Sequence, residues 1–377
     1  MQAGILPSIA SRSLLRGDVA TDGLRWLPAA LVFGSIAAVA YADSIATSVS
    51  LGFLYFLPLG ISAIVWRSQI SYALAVVCVF LHDLFGPSYP NSAARITHNL
   101  SALVGFTFVM YVIHRYVEQK EQLDKQVRQQ RDQLLHDVEL AARVQRMFLP
   151  IRRPSIPGLE IAGMMQPVRG VGGDYYDYIP IDEHTIQVVI ADVAGKGVSA
   201  ALLMSATAPA VQLEASDKRD MLEVVDRLNN GIHSVSKGDR YVTLLLANID
   251  ARHSLRYVNC GHNPALLFQA KTHDVIPMNS SCFPVGMFDS ASCEINRADL
   301  APGDILVLYT DGITEAENPE EEEFGMERLS TLIQRGHLLS ADGLMNYILE
   351  TATEFCREVG FNDDVTILVV KCNFDGM

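Results

Sequence analysis

Between Trp26 and Tyr116 the chain carries four apolar stretches separated by short polar loops: LPAALVFGSIAAVAYA, LGFLYFLPLGISAIVW, ISYALAVVCVFLHDLF and LSALVGFTFVMYVIHRY. Backbone amides inside a bilayer must be satisfied within their own segment. Apolar stretches near the ~20 residues that cross the hydrocarbon core are therefore expected to be helices. The third and fourth carry polar residues, and any one of the four alone would read as a buried core helix. Four in succession read as a four-span transmembrane domain over residues 26–116. Composition agrees, since 49% of the 377 residues are hydrophobic and only 19% charged, too lopsided for a soluble enzyme of this length.

Basic residues set the expected orientation. Arg12, Arg16 and Arg25 precede the first stretch, Arg67 divides the second from the third, and Arg115 and Lys120 follow the fourth. The loop DSIATSVS has no base, and the third-to-fourth loop has only Arg95. Both ends are then cytoplasmic, with residues 1–25 a cytoplasmic segment of a multi-pass inner-membrane protein. A signal peptide cut near Ala42 is the competing reading, and it too leaves the C-terminal part inside. His82 and His98 fall toward the outer ends of the third and fourth stretches. Ionisable groups at such depth are functional candidates, and this pair could meet and bind a metal or haem; the alternative is two interfacial hydrogen-bonding residues.

Residues 117–149 contain no Gly or Pro and are rich in Gln, Glu, Arg and Leu, which predicts a helix. Tyr116, Leu123, Val127, Gln130, Leu134, Val138 and Ala141 form a heptad-like seam with a stutter at Gln130–Leu134–Val138. A coiled-coil linker in a parallel homodimer is expected; a single solvated helix is the alternative. Pro150, Pro154 and Pro157 end it and open a domain over residues 150–377.

Beyond Pro157 short β-rich runs dominate: LEIAGMMQ, TIQVVIADV, RYVTLLLANID, SLRYVNC, PALLFQA, DILVLYTD and VTILVVK. Helical patterns arrive in pairs, SAALLMSATAPAVQLEA with RDMLEVVDRLNNGIHSV, then GMERLSTLIQRG with ADGLMNYILETATEFCREV. That order favours antiparallel sheets with helical outer layers over a doubly wound parallel sheet. A net charge of −14 argues against nucleic acid as a partner. The six cysteines include no C-x-x-C pair, which argues against a disulfide scaffold or zinc ribbon and for a reducing compartment.

Carboxylates recur at the mouths of these strands. Asp174 follows Gly172-Gly173, Asp192 ends QVVIAD, Asp311 ends LVLYT, and Asp363 and Asp364 precede VTILVV. One such Asp is ordinarily a turn residue or cap. Several converging at one sheet edge make a site for hard divalent cations.

The motifs VGGDYYDY, ADVAGKGVSAALLMS, CGHNPALL, FPVGM, LYTDGITEAENPEEEEFG and NDDVTILVV, in this order over about residues 140–371, resemble the SpoIIE/RsbU-type bacterial PPM (PP2C-like) serine/threonine phosphatases. The resemblance implies an αββα sandwich holding two Mn²⁺ or Mg²⁺ ions. It assigns Asp174, Asp192, the Val193 carbonyl, Asp311 and Asp363 as ligands and catalytic centre, with Asp364 the alternative for the last. It also implies a phosphorylated STAS-type anti-anti-sigma regulator as substrate. Ala194 stands where eukaryotic relatives carry a histidine, so the general acid is unassigned. His262 reads as structural, Arg169 as a phosphate contact or a solvated loop residue, and Pro319–Gly325 as a solvated acidic loop or flap. Two other readings stay open: a diguanylate-cyclase-like enzyme built on GGDYY, and an inactive partner-binding domain.

Overall fold

The computed structural model describes residues 27–46, 50–86, 88–216, 220–251, 254–357 and 359–373. The expected segment 1–25, with Arg12, Arg16 and Arg25, lies outside them. The chain divides into two compact units, residues 1–132 and 133–377.

The first unit is helical. Helix α1 (Leu27–Ile45) is followed by a 3-10 turn (Gly52–Tyr55), α2 (Phe56–Val65), α3 (Ser68–Phe85) and the 55-residue α4 (Ser92–Arg146). Their shared core is Val32, Ile36, Tyr55, Leu59, Ala63, Leu74, Ala75, Cys78, Phe106 and Met110. Helices α1, α3 and α4 are long and apolar enough to cross a membrane. The second apolar stretch forms a 3-10 turn at Gly52–Tyr55 and a helix at Phe56–Val65, together shorter than the other three apolar helices of this unit. Arg95, expected in a loop, lies in the first turns of α4 and pairs with Asp83.

Fourteen residues of α4 belong to the second unit, which begins at Gln133. The expected boundary at residue 150 falls inside that unit because Ala142 and Gln145 are already buried in it. Upstream along the same helix Tyr116, Leu123, Val127 and Leu134 stay exposed.

Two five-stranded antiparallel sheets follow. One has the order β1 (Leu159–Gln166), β10 (Val365–Cys372), β9 (Ile305–Tyr309), β6 (Ala265–Phe268), β7 (Val275–Met278). The other runs β2 (Tyr175–Pro180), β3 (Thr185–Val193), β4 (Val242–Asp250), β5 (Ser254–Cys260), β8 (Asn296–Asp299). Helices α8 (Gly325–Gly336) and α9 (Ala341–Cys356) cover the first sheet, while α5 (Val198–Ser216) and α6 (Met221–Ser236) cover the second. This is the αββα arrangement. A strand buried on both faces reads as a continuous apolar run, which is why VTILVV and QVVIAD show no polar alternation. Helix α6 shows the complementary code, with Met221, Val224, Val225, Leu228 and Ile232 on one buried stripe. Each such side chain contributes roughly 1.5–3 kcal/mol by leaving water.

The two-residue period of the strands decides what lies between the sheets. In β3 the odd residues Val189, Ala191 and Val193 pack on the helices, whereas Ile186, Val188 and Ile190 enter the inter-sheet core. In β9 and β10 Val307, Tyr309, Ile367 and Val369 face helices, and Leu306, Leu308, Leu368 and Val370 face inward. Tyr176 and Tyr178 of β2 and Leu245 and Ala247 of β4 also face inward.

One expectation about cysteine is corrected. Cys282 and Cys293 are disulfide-bonded, and the Cys260 Sγ lies 3.3 Å from that of Cys282. A parallel bridge between Cys260 and Cys282 brings together residues far apart in sequence, which no C-x-x-C search detects.

Candidate metal centre

Extending the inward-facing parity of each strand to its end places Asp174, Asp192, Thr243, Thr310 and Thr366 at one end of the gap between the sheets. Asp174 is 2% exposed, and one of its oxygens accepts hydrogen bonds from Thr310 Oγ1 at 2.7 Å and Thr366 Oγ1 at 2.6 Å. Asp192 pairs across β3–β4 with Thr243. Asp311 opens a single helical turn, α7 (Asp311–Thr314), directly after Thr310, so it is the first residue of a helix rather than the end of a strand. Asp363 faces the same space and pairs with Lys196 at 2.5 Å. Asp364 is occupied differently: its two oxygens accept from the backbone amides of Val168 at 2.9 Å and Gly173 at 2.8 Å. The neighbouring aspartates thus do separate jobs, one facing the cluster and one fastening the glycine loop.

Those glycines are there for space. A Cβ on Gly173 would sit 3.2 Å from the Val193 carbonyl oxygen and 3.3 Å from Asp192 Oδ1, and one on Gly172 would collide with the Asp364 carboxylate. The loop is also held from the linker helix. Gln145, 4% exposed, donates to the Gly172 carbonyl at 2.5 Å and accepts from its amide at 3.1 Å.

The electrostatics follow from carboxylates crowding in a poorly solvated place. Burial, then the neighbouring Asp192 carboxylate, hold Asp174 well above the ordinary range. Burial together with Asp311 and Asp363 pushes Asp192 up to about 7. Burial and then Asp363 raise Asp311. Asp174, Asp192 and Asp311, crowded together with Asp363 and with a backbone carbonyl beside them, form an all-oxygen donor set suited to hard divalent cations. Mn²⁺ or Mg²⁺ fits these residues.

His262 is a strut. Its Nε2 donates to the Tyr309 carbonyl at 3.2 Å, so Nδ1 accepts from Thr243 Oγ1 at 2.8 Å, joining β4 of one sheet to β9 of the other. Burial pulls it down to about 4, so it is neutral at physiological pH. Arg169 and Lys196 line a shallow depression together with Asp363 and Asp364, placing basic groups at the mouth of the cluster. The acidic run is a pinned turn: the Asn318 side chain accepts from the amides of Glu320 and Glu322, and Glu317 bridges Glu323. His82 and His98 meet in the first unit, with their Nε2 atoms 3.0 Å apart.

Sequence reasoning missed Thr310, Thr366, Thr243 and Gln145. The threonines carried a signal, since each occupies an inward-parity position: Thr310 next to Asp311, Thr243 opposite Asp192, and Thr366 two residues beyond Asp364. Gln145 carried none, because a glutamine in a Gln-rich helix looks solvated.

Comparison with known proteins gives a consistent result. The profile of the family described as Stage II sporulation protein E (SpoIIE) matches residues 182–373. The chain is similar to the phosphoserine phosphatase RsbU of Bacillus subtilis, 25% identical over 286 residues that cover 75% of this chain and 82% of RsbU. It is similar also to the phosphoserine phosphatase RsbP of the same organism, 30% identical over 184 residues, 47% of this chain and 45% of RsbP. Among solved structures, the SiaA-PP2C domain of Pseudomonas aeruginosa superposes with a TM-score of 0.57 at 22% identity, covering 65% of this chain and 98% of that one. The RsbU and RsbW domains of a Mycobacterium tuberculosis protein superpose with a TM-score of 0.52 at 23% identity, over 61% of this chain and 64% of that one.

Proposed function

The chain belongs to the SpoIIE family of PP2C-like phosphatases, and from that premise we propose that it is a metal-dependent phosphoserine/phosphothreonine protein phosphatase tethered to a membrane. The observation that carries the reading is the convergence of Asp174, Asp192, Asp311 and Asp363 at one end of the sandwich. These four side chains and the Val193 carbonyl would hold two Mn²⁺ or Mg²⁺ ions. When bound, such ions supply Lewis acidity, easing deprotonation of water and offsetting charge on phosphoryl oxygens. Thr310 and Thr366 fix the Asp174 carboxylate, Asp364 and Gln145 fix the loop that delivers it, and Arg169 and Lys196 offer positive charge to an arriving phosphate. No histidine stands at Ala194, so these residues provide no general acid there.

Three finer points belong to the same reading. Helices α1 and α3, the shorter apolar stretch Gly52–Val65 and the apolar part of α4 anchor the chain in the inner membrane with the sandwich in the cytoplasm, supported by their outward-facing apolar side chains. The exposed seam Tyr116, Leu123, Val127 and Leu134 supports a parallel dimer through α4. The substrate is a phosphorylated regulatory protein of STAS type, as the family resemblance implies.

The test is direct. The full chain in detergent, supplied with Mn²⁺ and a phosphoserine peptide, should release phosphate. Asp311→Asn should reduce the rate by about a thousand-fold, the scale of several kcal/mol of lost charge stabilisation. Undiminished turnover in that variant overturns the assigned centre.

A further inference from the structure

The first unit contains a second cluster of ligand-type side chains that the phosphatase reading leaves unused. Asp43 and His82 are 1% and 2% exposed, and Asp43 Oδ2 lies 2.5 Å from His82 Nδ1. The other Asp43 oxygen accepts from the Leu51 amide at 3.0 Å. The carboxylate therefore fixes the ring and holds the proton on Nδ1, turning the Nε2 lone pair toward its polar neighbours. Nε2 points at His98 Nε2, 3.0 Å away, with Ser50 Oγ at 3.3 Å and the Tyr89 hydroxyl at 3.5 Å. A buried carboxylate behind an imidazole whose far nitrogen faces other donors is the arrangement that orients metal-ligating histidines.

The surroundings maintain it. A Cβ on Gly52 would fall 2.9 Å from His82 Cε1, and one on Gly86 would fall 3.0 Å from the same atom, so both glycines leave room for the ring. Asp83, beside His82, accepts from Arg95 Nε and Asn99 Nδ2, each at 2.7 Å. Arg95 and Asn99 flank His98 on α4, so this clamp sets the two imidazoles at one level. Beside them a hollow of about 280 Å³, lined in part by Ser50, Gly52, Phe53 and Phe56, gives access.

We propose that His82 and His98, with the Tyr89 and Ser50 hydroxyls as oxygen donors, bind a first-row divalent ion of borderline softness, Zn²⁺ being the reference case. Two metal–nitrogen bonds of ~2.05 Å at a tetrahedral angle span about 3.3 Å, so a modest turn of one ring brings both nitrogens onto one small ion. Imidazole with neutral oxygen suits zinc, copper or nickel rather than the hard ions of the aspartate centre. Haem held between these two histidines does not fit, because opposed axial nitrogens would stand ~4 Å apart. The assignment is independent of the phosphatase reading, since no residue is shared.

The experiment uses the full chain in detergent, stripped with chelator, kept in excess Mg²⁺ to fill hard-ion sites, and loaded with Zn²⁺. The expected result is one tightly held Zn²⁺ per chain whose X-ray absorption shows two imidazole nitrogens at ~2.0–2.1 Å. His98→Ala should lose that ion, and Asp43→Asn should weaken it 10–100-fold by releasing the ring. If His98→Ala misfolds, the wild-type spectrum alone decides. A spectrum with oxygen scatterers only, or unchanged zinc retention in folded His98→Ala, overturns the proposal and leaves a hydrogen-bonded histidine pair.

Discussion

Helices α3 and α5 have nearly the same length, 18 and 19 residues, and both are apolar enough to cross a membrane, yet their buried faces meet different neighbours. Helix α5 turns Ala200, Ala201, Met204, Ala208, Val211 and Ala215 inward, and it packs on β2, β3 and α6. Helix α3 buries only the narrow stripe Ser71, Leu74, Ala75, Cys78 and His82, and sends Ile70, Val76, Val77, Phe80 and Leu84 outward. Apolar length states that a surface needs an apolar neighbour; it does not say which. A sheet supplies one for α5. Among the described residues nothing covers the outer side of α3, and a bilayer would. The polar groups divide the same way, with carboxylates gathered at one end of the gap between the sheets and His82 on the buried stripe of α3, facing His98 of α4.

The sharpest way to break this contrast is a charge on the outer side of α3. Phe80 is 64% exposed. If lipid covers it, Phe80→Lys should cost about 3 kcal/mol of insertion free energy, read as loss of membrane-integrated protein. Unchanged integration would mean that α3 faces water or protein.

A second test concerns the aspartate centre. A protonated carboxyl cannot ligate, and Asp192 takes its proton at about 7, well above an ordinary aspartate. At Asp192, protons therefore compete with the cation below that pH and not above it. Apparent Mn²⁺ affinity should drop about tenfold per unit on acidification, roughly a hundred-fold from pH 7 to 5, and level off on the alkaline side. Calorimetric titration checks it, and a flat profile removes Asp192 from the ligand set.

A smaller effect is expected one shell out. Thr366→Val keeps the shape of the side chain and deletes one of the two hydroxyls that fix Asp174. Mn²⁺ affinity should fall about tenfold with the fold intact, and equal affinity would show that Thr310 alone orients the carboxylate.

How far all this could be read beforehand varies with the kind of signal. Strands β3, β4, β9 and β10 were legible as long β-branched runs. Strand β2 was not, because Asp177 interrupts it at a buried position, where Tyr175 and Gln212 satisfy its carboxylate at 2.8 and 2.7 Å. Strands β7 and β8 are four-residue edges with half-exposed patterns, too short for any period to register. The candidate ligands were legible because a carboxylate at the end of an apolar strand is conspicuous. Asp363 and Asp364 were not separable, since adjacency in sequence hides that one oxygen pair is spent on the amides of Val168 and Gly173. Gln145 and Cys260 act through partners distant in sequence, and local pattern carries no trace of such contacts.

The smallest expected effect completes the contrast. Leu213 on α5 is 70% exposed, as open as Phe80 on α3. If the sheet side of α5 carries its packing and its outer side faces water, Leu213→Lys should alter stability by no more than about 0.5 kcal/mol, under roughly 2 °C in melting temperature. The same substitution type would then cost several-fold more on one helix than on another of equal length, and the difference would be the bilayer itself. A large penalty at Leu213 would instead mean that the outer side of α5 is also covered, by membrane or by another chain, and the two helices would no longer be opposites.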